Sequence, residues 1–71
     1  MKRDAEAVRT LRTRQNLTQA QLAARSRVAR TALVRLESGG KVRHSTLRSI
    51  VQGLGFTLLD DVIRAAGERN S

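Results

Sequence analysis

The sequence predicts an all-α domain of five short helices. Three observations carry that expectation: apolar residues recur at helical spacing in successive segments, the breaks fall at Leu17, Val28, Gly39-Gly40 and Gly55, and proline is absent throughout. With 71 residues, the chain has room for one domain and one modest core, placed here over residues 4–66 with a flexible tail at 67–71. No apolar run approaches the roughly 20 residues that span a bilayer, and Asp4 and Glu6 follow Met1-Lys2-Arg3 where a secretory signal would turn apolar. A protein of the cytoplasm with no membrane partner is the expectation.

The first helix covers residues 4 to 15, with Val8 and Leu11 on one face and Asp4 favourable near the positive end of the helix dipole. Leu17 tucks into the core after the turn. Thr18 followed by Gln21 is a capping-box pattern, so a second helix runs from Gln19 to about Ser26 and buries Leu22 and Ala23. Leu33 and Leu36 then mark a third helix that ends near Ser38, where Gly39-Gly40 stops it. A fourth covers roughly Ser45 to Leu54, with Ser45 as its cap and Leu47, Ile50, Val51 and Leu54 inward. Thr57 and Asp60 form a cap-and-acid pattern ahead of a fifth helix to about Ala66. Phe56 to Ile63 is also rich enough in branched and apolar residues to form a strand, paired across a dimer.

Charge is unevenly placed along these elements. The net charge is +8, but residues 1–48 hold 12 basic and three acidic residues, whereas residues 49–71 hold two basic and three acidic ones. Twelve of the 14 basic residues are Arg, whose planar fork grips a phosphate or a guanine edge with two hydrogen bonds. A polyanion is the partner such a field attracts; a solvated basic face that keeps a small protein soluble is the plainer reading of the same composition.

Leu17-Thr18-Gln19, Leu22-Ala23, Val28, Leu33, Leu36-Glu37 and Gly39 together resemble the phage repressor and Cro-like, or XRE, helix-turn-helix family over residues 8 to 63. The resemblance implies a compact repressor-like domain in which the second helix crosses the DNA backbone and the third enters the major groove. It assigns base contacts to Arg30, Thr31 and Arg35, with Ala32 placed to meet a thymine methyl, and leaves Val34 as a space filler. It assigns phosphate contacts to Gln19, Ser38, Lys41 and Arg43. Arg25 and Arg27 join these as candidates, as do Arg9 and Arg14 on the first helix. Arg12 and Glu37 are implied to form a partly buried ion pair that joins the first helix to the end of the third.

Several positions depart from the family pattern. Arg27 stands where glycine is common, and so faces a left-handed backbone conformation or a different turn. Ala29 replaces the usual hydroxyl cap of the third helix. Val42, Arg43 and His44 replace the usual Pro, small cap and apolar residue, which suggests a late start for the fourth helix.

The expected activity is reversible, sequence-specific binding of double-stranded DNA by a transcriptional regulator, foremost a repressor. An antitoxin that autoregulates its operon and also binds a toxin protein is an alternative, as is a basic module for RNA or an acidic protein. A homodimer is expected, because one short helix reads few bases, and Leu59, Val62 and Ile63 are its candidate interface. An enzyme is not expected. Cysteine is absent, His44 is the single histidine, and adjacent Asp60 and Asp61 diverge on a helix, so neither a catalytic constellation nor a metal site or cofactor is implied.

Overall fold

Five α-helices follow one another: α1 (Lys2–Arg14), α2 (Gln19–Ser26), α3 (Arg30–Glu37), α4 (His44–Gly53) and α5 (Leu59–Gly67). The structure is a computed structural model that describes residues 2–67. Of the expected tail, Gly67 closes α5 and the rest lies outside the described residues.

The core is drawn from every helix. Val8, Leu22, Leu33, Leu36, Ile50 and Val62 are each 0% exposed, so the apolar faces of α1 to α5 converge on one cluster. Each such side chain contributes roughly 1.5–3 kcal/mol through burial. Half-buried Leu17, Val28, Val42 and Phe56 close the cluster from the connections between helices. α1 packs on α3 and α5, while α2 packs on α3 and α4.

Local chemistry explains the ends. Thr18 Oγ1 accepts from the Gln21 N–H at 3.0 Å and Gln21 Oε1 accepts from the Thr18 N–H at 2.8 Å, a reciprocal box that starts α2. Arg27 ends α2 in the left-handed region, φ 59° and ψ 40°. Its N–H bonds to Ala24 O and that of Val28 to Ala23 O, so the turn keeps the geometry that glycine would adopt without strain. Ala29 stands at the entrance of α3 with no side-chain cap.

Two expectations about element ends need correction. α4 begins at His44, not Ser45, with Arg43 at the cap position and no side-chain cap bond. The Leu47 N–H reaches Arg43 O at 3.0 Å, so burial of Leu47, Ile50 and Val51 sets the start rather than a hydroxyl. The segment at 59–67 is a helix and not a strand, and no strand occurs among the described residues. Its first bonds run from the Asp61 and Val62 N–H groups to Leu58 O, which puts Leu58 rather than Thr57 at its entrance.

Long polar side chains at and just beyond the end of α1 finish other helices from a distance. Arg14 donates to Ala65 O at 2.9 Å and to Ala66 O at 2.7 Å, and Gln15 donates to Leu54 O at 2.9 Å. The carbonyls at the ends of α5 and α4 thereby gain partners that the helices themselves do not supply.

Candidate nucleic-acid interface

α3 has two unlike faces. Leu33 and Leu36 are fully buried, and Arg30, Thr31, Val34 and Arg35 are exposed, with Ala32 half-buried between them. The helical period alone separates these sets. Arg30, Thr31 and Arg35 are thus free of the core and lie on one continuous surface.

The position of that surface is set by Glu37, the last residue of α3. Arg12 of α1 grips its carboxylate with two bonds, Nε to Oε2 at 2.7 Å and Nη2 to Oε1 at 3.0 Å. Gln19 of α2 donates to Oε1 at 3.1 Å, and Arg9 donates to the Glu37 carbonyl at 2.9 Å. Arg12 also reaches Leu17 O at 2.9 Å. With side-chain exposures of 14% and 5%, the Arg12–Glu37 pair is shielded from solvent and ties three helices together.

The residues expected to meet phosphate fall into different surroundings. Arg27 and Arg43 converge on one cleft between the N-terminal ends of α3 and α4, lined also by Ala29, Ala32, Ser45 and Thr46. Both of those helix ends lack a side-chain cap, so their free N–H groups add to the positive potential. Lys41 is exposed in the connection between α3 and α4. Ser38 is exposed, but its hydroxyl donates to Val34 O at 2.9 Å, which occupies its only donor. Gln19 has one amide donor on Glu37 and retains another. Arg25 is exposed near the end of α2 and lines a second cleft with Gln52 that shares Arg27 and Ser49 with the first.

The C-terminal residues expected at an interface are not brought together. Val62 is 0% exposed and belongs to the core, a correction that follows from its place on the inner face of α5. Ile63 packs toward α1, in a cleft with Ala7 and Thr10. Leu59 instead lines a separate groove with Leu47, Val51 and Leu58, and Leu58 is 59% exposed.

A helix-turn-helix family model matches residues 8–60. The chain belongs to the helix-turn-helix family. Comparison with curated proteins and with solved structures gave no match. In this helix-turn-helix domain α2, the turn at Arg27-Val28 and α3 form the motif, and the motif is a DNA-binding, regulatory element rather than a catalytic one. Among the described residues no cluster of three or more His, Cys, Asp or Glu side chains converges as metal ligands, and His44 stands exposed at the start of α4. No described helix is long and apolar enough to cross a membrane.

Sequence reasoning did not find Arg9, Arg14 and Gln15 as structural donors. Their targets are backbone carbonyls 28, 51 and 39 residues away, and a carbonyl carries no mark in the sequence.

Proposed function

We propose that this helix-turn-helix domain is of the XRE or Cro-like kind and acts in the cytoplasm as a sequence-specific transcriptional repressor that occupies double-stranded DNA. The observation that carries this reading is the exposed row of Arg30, Thr31 and Arg35 on α3, backed by fully buried Leu33 and Leu36. In the major groove, the two guanidinium forks suit guanine O6 and N7, Thr31 adds an adaptable hydroxyl, and Ala32 meets a thymine methyl. Lys41, Arg43 and Arg27 hold the backbone and set orientation, with Gln19 at the margin. No covalent step is involved.

A second copy extends the site read by one α3, and the surface that suits it is Leu58 with Leu59, not Val62 or Ile63. Leu58 is an exposed large apolar residue beside the groove formed with Leu47 and Val51. With six to ten phosphate contacts in such a dimer, affinity falls by about 10³- to 10⁵-fold between roughly 50 and 200 mM salt. Selection of bound duplexes from a random library tests the reading. A single enriched motif with two-fold symmetry supports it, and recovery of duplexes with no shared sequence refutes it.

A further inference from the structure

Gly39 and Gly40 are glycines for different reasons. Gly39 has φ +90°, a conformation that side chains rarely adopt, and a Cβ there would meet nothing within 4 Å. Gly40 is not among the positive-φ residues, so its backbone conformation does not require glycine. Its surroundings do: a Cβ would lie 2.8 Å from Arg35 Cγ, 3.1 Å from Arg35 O and 3.7 Å from Arg35 Cδ. The Gly40 N–H also donates to Arg35 O at 2.9 Å, which fixes this approach.

We propose that Gly40 is a positioning residue that sets the direction in which Arg35 leaves α3, and so determines sequence specificity without touching DNA. The inference rests on the reading that Arg35 contacts a base edge. Cγ is the second atom of the side chain, not its flexible end. A methyl group at position 40 therefore turns the stem near its root, and the displacement grows along the remaining bonds to the guanidinium. Bidentate recognition tolerates only a small error in the angle of the fork. Glycine at 40 leaves the stem lying against the α3–α4 connection, with part of the rotamer freedom of a long side chain already removed before DNA arrives.

The test compares Gly40→Ala, Arg35→Ala and the double variant on the library-selected duplex and on duplexes altered at one base pair at a time. Gly40→Ala is expected to lose about tenfold in discrimination at the same base pair that Arg35→Ala relaxes. Binding to an unrelated duplex should be unchanged, and the double variant should be no worse than Arg35→Ala. Full discrimination in Gly40→Ala, a uniform loss at all duplexes, or additive losses in the double variant overturns the assignment. If Arg35→Ala relaxes no base pair, the base-reading role of Arg35 falls and that of Gly40 with it; if only Gly40→Ala is silent, the positioning role alone falls. Side-chain coupling constants of Arg35 in the unaltered protein give an independent reading that needs no variant to fold. One dominant χ1 rotamer is expected, and free averaging among rotamers contradicts the proposal.

Discussion

Arg12 holds Glu37 with two parallel hydrogen bonds, at 2.7 and 3.0 Å, across the junction of α1 and α3. The carboxylate is nearly buried, so removal of Glu37 leaves the Arg12 guanidinium without its partner in a shielded site. Glu37→Ala is expected to cost roughly 3–5 kcal/mol. At about 0.05–0.15 kcal/mol per residue, that is a large share of the stability of so short a chain. Thermal melting followed by circular dichroism should show a much lower midpoint. Replacement of Arg12 and Glu37 together by apolar residues should cost less than Glu37→Ala alone. An unchanged midpoint in Glu37→Ala would contradict the assignment of the pair as a structural tie.

Ser26 of α2 packs directly against Gly53 of α4. A Cβ on Gly53 would lie 2.0 Å from Ser26 Oγ, and that hydroxyl is buried with no hydrogen-bond partner. Gly to Ala inside a helix ordinarily stabilises by up to about 1 kcal/mol, but here the contact reverses the sign. Gly53→Ala should destabilise by about 1–3 kcal/mol through overpacking. Ser26→Ala should be neutral or stabilising, because it removes an orphaned hydroxyl. Urea unfolding of the two variants checks both signs, and stabilisation by Gly53→Ala would show that the helices can separate without cost.

Arg27 allows stability and binding to be read separately. Its left-handed conformation, φ 59°, costs a non-glycine residue roughly 1–2 kcal/mol. Arg27→Gly should therefore raise the urea midpoint, less the entropy that glycine adds to the unfolded chain. In the proposed dimer the same change removes one phosphate contact from each subunit, so the slope of log affinity against log salt should become shallower by about 2. A stabilised protein with an unchanged slope would remove Arg27 from the DNA contacts.

Leu58 is exposed in the monomer, so Leu58→Glu should leave the helical circular-dichroism spectrum of the folded chain unchanged. Sedimentation at micromolar concentration should show loss of the dimer and weaker binding to a two-fold symmetric site. Val62→Ala should instead destabilise the monomer, because Val62 lies in the core. A variant Leu58→Glu that still dimerises would place the interface elsewhere.

The helices were largely legible from periodicity, since Leu22, Leu33, Leu36, Ile50 and Val51 must be buried for any amphipathic reading to work. The Thr18–Gln21 box was legible for a similar reason: both partners lie within one turn. The ends of α4 and α5 were not, because packing of their apolar faces overrides the hydroxyls of Ser45 and Thr57 as start signals. Val62 and Ile63 are adjacent apolar residues, and only the packing of α5 decides which is sealed in the core. That the Ser38 hydroxyl donates to Val34 O depends on the rotamer it takes, which its place in the chain does not record. The roles of Gly53 and Gly40 depend on how closely other residues approach them, which spacing along the chain does not record.

The central claim is that α3 reads bases while the cations around it hold the backbone, and Arg35→Ala against Lys41→Ala is its most direct measurement. Lys41 suits the comparison better than Gln19, whose amide also supports Glu37. Affinities for the selected duplex and a full set of single base-pair changes should separate the variants. Arg35→Ala should lose about 1–3 kcal/mol of discrimination at one position in each half-site. Lys41→Ala should weaken every duplex alike and lower the salt slope by about 2, one contact in each half-site. Parallel, uniform losses in both variants would contradict the account.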